Sequence, residues 1–178
     1  MIVVTIIALI AAIAIPSMIR SRMSANEINA AAACKEFATA EEIYHRTDYA
    51  QVGFLTYAQH LKGNNSLLET SAGLSDLGLI DVTFANAEGA PGTVPPKAGY
   101  VFTVLTAQGA SAEGGVTNYV ANGYMTVGYA FCASPASYDT SGRNTFVVSS
   151  DGTTYQKDKG DNVLESVYNP DSTWTPAE

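Results

Sequence analysis

The sequence predicts an α+β fold in which one long N-terminal helix packs against a small antiparallel sheet. Three observations predict it. Residues 1–52 contain no Gly and a single Pro, Pro16, whereas all 15 Gly start at Gly53 and the other six Pro start at Pro91. That first stretch is rich in Ala, Ile, Glu and Arg, the composition of a helix. Beyond it, Val-, Phe- and Tyr-rich runs are separated by turn residues, and Ser150-Asp151-Gly152-Thr153 supplies a tight-hairpin signal. A helix followed by consecutive antiparallel strands buries its apolar face against the sheet. The 178 residues allow one modest domain, or one domain plus a long appendage. Five segments follow: an apolar run (1–16), its amphipathic continuation (17–47), a connecting region (48–98), the sheet (99–157) and an irregular tail (158–178).

Met1 to Ile15 reads MIVVTIIALIAAIAI, and only Thr5 is not strongly apolar. As a helix it rises about 22 Å, short of the roughly 30 Å hydrocarbon core of a bilayer. It has no polar face, so it is not an interfacial helix. A secretory signal core would need a basic stretch before it, which is not in the sequence. A buried core helix would need more apolar surface than the rest of the chain offers. The remaining reading is a helix shared with other copies of the same chain.

Residues 1–16, Met-Ile-Val-Val-Thr-Ile-Ile-Ala-Leu-Ile-Ala-Ala-Ile-Ala-Ile-Pro, closely resemble the N-terminal segment of bacterial type IV pilins and secretion pseudopilins. In that family a basic leader is cleaved, and about six further residues containing a Glu precede the Met-Ile-Val-Val run. The resemblance implies that Met1 is internal to a longer chain, and six more residues would bring the apolar stretch to about 20, a spanning length. It also implies self-assembly through Ile2, Val3, Val4, Ile6, Ile7, Leu9, Ile10, Ile13, Ile15 and Pro16. Arg20 and Arg22 flank the run, a basic edge of the kind that orients membrane helices.

From Pro16 the sequence continues as helix to about Thr47. Pro16 removes one backbone hydrogen bond, so a kink or local unwinding is expected near Ala12–Pro16, and the family resemblance implies the same. At 100° per residue, Ile19, Met23, Asn26, Ala30, Ala33, Phe37, Ala40 and Tyr44 fall on one face, flanked by Cys34. That face should receive the sheet. No heptad register of large apolar residues persists, which disfavours a coiled-coil stalk. Four basic and four acidic residues balance up to Arg46. From Thr47 onward there are five basic and thirteen acidic residues, so the whole net charge of −8 lies there.

In the connecting region short helical pieces are expected at Phe54–Leu61 and Ser75–Leu79, and 89–96 reads as a chain breaker. Strands are expected at Tyr100–Leu105, Tyr124–Phe131 and Thr145–Ser149, with a return through Thr154-Tyr155-Gln156. Gly78-Leu-Ile-Asp, Lys97-Ala-Gly-Tyr-Val-Phe and residues 142–152 are similar to segments in the heads of a pilin subgroup, which extends the resemblance over most of the chain.

Cys34 and Cys132 are the two cysteines, and in an extracytoplasmic protein the pair is expected to bridge helix and sheet. Such a bridge closes a loop of about 98 residues, worth roughly 4–5 kcal/mol in chain entropy. The alternative is two buried, inert thiols. No catalytic residue, metal or cofactor is expected. Cys34 and His45 stand about 16 Å apart along one helix, His60 falls in a loop, and no nucleophile elbow, phosphate loop, CxxC or HExxH occurs. Asp151, Asp158 and Asp161 offer oxygen ligands, but their spacing matches no Ca²⁺ loop. Asn64-Asn65-Ser66 fits a glycosylation acceptor. Phe37, Tyr44 and Tyr49 are explained by helix-to-sheet packing rather than by a conducting stack. The acidic balance disfavours nucleic acid as a partner. The expected function, implied by the resemblance, is a structural filament subunit. Its partners would be other copies of itself, the inner membrane before assembly, and a pilus assembly machinery. A pseudopilin and a membrane-tethered binding module are the alternatives.

Overall fold

The computed structural model describes residues 2–69 and 77–177. Helix α1 runs from Ile2 to Tyr44 and a short helix α2 from Val82 to Asn86. The strands are β1 (Tyr100–Leu105), β2 (Ala107–Gln108), β3 (Thr117–Asn118), β4 (Val120–Ala121), β5 (Tyr124–Met125), β6 (Ala130–Pro135), β7 (Asn144–Ser149), β8 (Thr154–Asp158) and β9 (Thr175–Pro176). Five of them form an antiparallel sheet in the order β1-β6-β7-β8-β9, and β2-β3 and β4-β5 form two small ribbons. The architecture is α+β, with α1 against the sheet.

The helix face expected from periodicity packs in its second half. Ala30, Ala33, Cys34, Phe37, Ala40 and Tyr44 are buried, whereas Ile19 is 39% exposed. Phe37 stacks on Phe131 with ring centroids 4.0 Å apart, and Phe131 in turn stacks on Phe102. Phe84 of α2 meets Phe102 edge-on. The small residues around Ala30–Ala33 allow the backbones to approach closely. Lower on the helix, contact is polar: the Asn26 side-chain amide donates to Ser141 O at 2.7 Å, and Glu27 Oε1 accepts from the Arg143 and Asn144 N–H groups. Gly99 sits against this point at φ +77, and a Cβ there would lie 2.6 Å from Asn26 Nδ2.

Several expectations require correction. The helix runs through Pro16 without a break and ends at Tyr44 rather than Thr47. Phe54–Leu61 is not helical. Tyr57 N–H donates to Met125 O at 2.7 Å and Ala58 N–H to Glu41 Oε2 at 2.9 Å, so partners outside the segment take the donors a helix would use. Ser75 and Asp76 lie outside the described residues, and Leu77–Leu79 are not helical. The amides of Gly78 and Leu79 donate to Leu68 and Leu67. The expected strand Tyr124–Phe131 divides, because Tyr124–Met125 pairs with β4 while Ala130–Pro135 pairs with β1 and β7. Helix α2 lies inside the stretch read as a connection. Its signal was Asp81, whose carboxylate accepts from Phe84 N–H at 2.8 Å as an N-cap.

The tail is also more ordered than expected. Its β9 pairs with β8, and Tyr168 is buried. Side chains alternate across a strand. Since Phe131 faces α1, its neighbour Cys132 faces the opposite side of the sheet, where Glu165 N–H of the tail donates to Cys132 Sγ at 3.4 Å. Val147, opposite Cys132 in the register, is buried as well. The tail therefore covers the sheet face that α1 does not.

Candidate functional site

Two regions of α1 differ in what surrounds them. From Ala30 to Tyr44 the helix is clamped by the head. From Ile2 to Ile15 the nine large aliphatic residues are each between 51% and 79% exposed. They are Ile2, Val3, Val4, Ile6, Ile7, Leu9, Ile10, Ile13 and Ile15, and they project in every direction from the helix. Pro16 is exposed too. The structure thus places every expected assembly residue on one protruding rod, none of them used by the head. One 18-residue window of α1 is apolar enough to cross a membrane, and none of it is buried. Covering an aliphatic side chain of this size contributes on the order of 2 kcal/mol. Nine of them in water are a large unfavourable surface that an apolar partner would remove.

The rod joins the head at a notch of about 560 Å³, lined by Pro16, Ile19, Arg20, Met23, Asp139 and Arg143 among others. The head is held on the helix by Glu27 at this lower level and by Lys97 higher up. Lys97 Nζ lies 2.6 Å from Asp81 Oδ2 and 3.5 Å from Glu36 Oε2, and 4.2 Å above the Phe84 ring centre. These contacts fix the direction in which the rod leaves the head.

A family model described as a protein of unknown function, DUF2950, matches residues 12–177. The chain belongs to the DUF2950 family. No curated protein and no solved structure matches it. The matched stretch takes in the end of the apolar run, the whole head and the tail, so the DUF2950 unit here includes the sheet-covering tail as well as the helix.

The cysteine bridge expected within this DUF2950 chain is not formed: Cys34 and Cys132 are both free and buried. The register supplies the reason, since Cys34 faces the sheet from the helix side and Cys132 faces the tail. Burial pushes both thiols well above their ordinary range, which the nearby Lys159 offsets only in part at Cys132, and neither has the exposure of a reactive cysteine. His45 is stacked on Tyr57 at 4.0 Å, and His60 Nδ1 lies 3.6 Å from Glu88 Oε1, so neither stands beside a thiol.

The three aspartates weighed as calcium ligands are kept apart. Asp151 at the β7–β8 turn accepts from the Tyr168 hydroxyl, Asp158 at the far end of β8 accepts from the Tyr138 hydroxyl, and Asp161 lies 3.6 Å from Lys159 Nζ. Among the described residues no group of three or more His, Cys, Asp or Glu could hold a metal ion. The Ser66 hydroxyl of the glycosylation triplet is buried and bonded to the Glu69 backbone.

A group that sequence reading missed is Glu41. Fully buried on α1, it holds the 50–61 segment through Ala58 N–H, while its Oε1 and the Tyr44 hydroxyl have no hydrogen-bond partner. Burial pushes its carboxyl well above the usual range, opposed by the Ala58 bond and reinforced by Glu42. Its position beside Ala40 on the inward face was the available signal.

Proposed function

We propose that this chain is the structural subunit of a type IV pilus-like filament, assembled through the apolar part of α1. One observation carries the reading: a stalk with nine exposed aliphatic residues is continuous, through an unbroken helix, with a head that uses none of them. Such a stalk needs an apolar environment. A bilayer supplies it before assembly, and the stalks of other copies supply it afterwards. A surface used repeatedly in the same relation gives an open helical polymer rather than a closed ring. The spelling of residues 1–16 supports the same reading through its resemblance to type IV pilins. The acidic heads would coat the outside, and mutual repulsion would keep a densely repeated surface soluble. Binding and assembly, not catalysis, are then the chain's chemistry, and its place is the cell surface with an inner-membrane pool.

The test is a pair of substitutions in the stalk, Ile6→Asp with Ile10→Asp. Fibres recovered by shearing cells should disappear while the head keeps its thermal transition, because neither residue touches the head. Fibres that persist unchanged would overturn the reading. A wild-type chain found only as a short periplasmic structure would favour the pseudopilin alternative, and a monomer in detergent a tethered binding module.

A further inference from the structure

The β4–β5 ribbon reverses through two residues. Ala121 pairs with Tyr124, so Asn122 and Gly123 alone make the turn. Both have positive φ, +53 and +84, as a mirror-image hairpin turn requires, and Asn and Gly adopt that conformation at the least cost. This is the single Asn-Gly pair in the chain. Both residues are exposed, and a Cβ placed on Gly123 would meet nothing within 4 Å. The bonds around the turn run between other groups: Asn118 Oδ1 accepts from Val120 N–H, and Gln59 Nε2 donates to Gly123 O at 2.7 Å. Among the described residues the Asn122 side chain and the Gly123 N–H have no hydrogen-bond partner.

Other asparagines of the chain are held. The Asn26 and Asn162 amides donate to Ser141 O and Ala136 O, and Asn169 Oδ1 accepts from Ser111 N–H. The comparable Asp151-Gly152 turn is held as well, because Asp151 Oδ1 accepts from Thr153 N–H at 2.8 Å and its Oδ2 from the Tyr168 hydroxyl at 3.0 Å. Asn122 thus combines a free side-chain amide with a free, unhindered backbone nitrogen directly after it.

We infer that Asn122 is a site of spontaneous deamidation in the folded chain, with the Gly123 nitrogen as the nucleophile. Solvent hydroxide takes the Gly123 N–H proton, and the nitrogen bonds to Asn122 Cγ. The Cγ–N bond of the side-chain amide then breaks, and its nitrogen leaves as ammonia after taking a proton from water. Water opens the resulting five-membered imide at either carbonyl, which leaves Asp or its β-linked isomer, and nothing is oxidised or reduced. Ring closure requires the tip to open locally. The absence of a side chain on Gly123 leaves the attacking nitrogen unhindered and the backbone free to turn. At the tip, one exposed hydrogen bond from Gln59 is the tie to the rest of the head. The product adds a negative charge to an already acidic head. In the β-linked isomer one extra backbone methylene enters a turn built for two residues, which displaces Gly123 O from Gln59. The inference does not depend on the filament reading.

The experiment uses the full chain in detergent, its folded state established by a thermal transition, and incubates it in mildly alkaline buffer. Peptide mass spectrometry should find the amide-to-acid mass change at Asn122 ahead of every other Asn, as two separable products, at a rate that rises with pH. Asn122→Gly suits the positive φ and has no amide, so it should keep the transition and lose the signal. An Asn122 that stays intact in the folded chain while the urea-unfolded chain converts there would overturn the inference, since the hairpin would then protect it. Earlier conversion of another Asn in the folded chain would overturn it too.

Discussion

Glu41 combines two opposed effects in one side chain. It accepts the buried Ala58 N–H, which would otherwise be unpaired, yet its surroundings disfavour a charge. The folded state therefore keeps the Glu41 proton above the ordinary value of 4.5, while the unfolded chain releases it there. Above that pH the folded state binds more protons, so this group's contribution falls as pH rises. The neighbouring Glu42 carboxylate reinforces the effect. Glu41→Gln should flatten the decline in melting temperature between acidic and mildly alkaline pH. Glu41→Leu should cost about 1–3 kcal/mol by orphaning the Ala58 amide, measured by denaturant unfolding. At the cysteines, unfolded and unreduced protein should label rapidly with a thiol reagent at both Cys34 and Cys132, and protection of either would contradict two free thiols.

Among the elements, α1 was legible because composition, periodicity and the Gly/Pro boundary all agree over its length. Strand β1 and the β7–β8 hairpin were legible too, from Tyr100–Leu105 and the Asp-Gly turn. What stayed hidden depends on distant partners. Phe54–Leu61 has a plausible local helix, but Glu41 and Met125 capture its backbone. The tail's polar composition hid that it would cover a sheet face, since its apolar residues come only as the short pairs Val163-Leu164 and Val167-Tyr168 and as the scattered Trp174 and Ala177. The cysteine pair misled for a related reason: which face Cys132 occupies is set by strand register, not by its distance along the chain. Phe37→Ala should cost about 3–5 kcal/mol, because it empties the stack with Phe131 at the centre of the core. A chain ending at Asp161 should become reactive at Cys132 but not at Cys34, as mapped by mass spectrometry, because only Cys132 is covered by the tail.

At the scale of the whole molecule, the division of labour is between a rod that presents apolar surface and a head that carries the charge. Nine large aliphatic residues stand exposed on the rod, whereas the whole −8 net charge lies from Thr47 onward. A soluble globular protein would fold the rod inward, whereas here its nine large aliphatic residues all stand exposed. A membrane-tethered monomer would use the rod once. A filament uses it in every copy. The most direct measurement is electron microscopy of sheared surface material, with an antibody to the head. Long fibres decorated along their whole length are the expected result. Decoration confined to cell membranes, with the chain recovered only as a detergent-soluble monomer, would contradict the account.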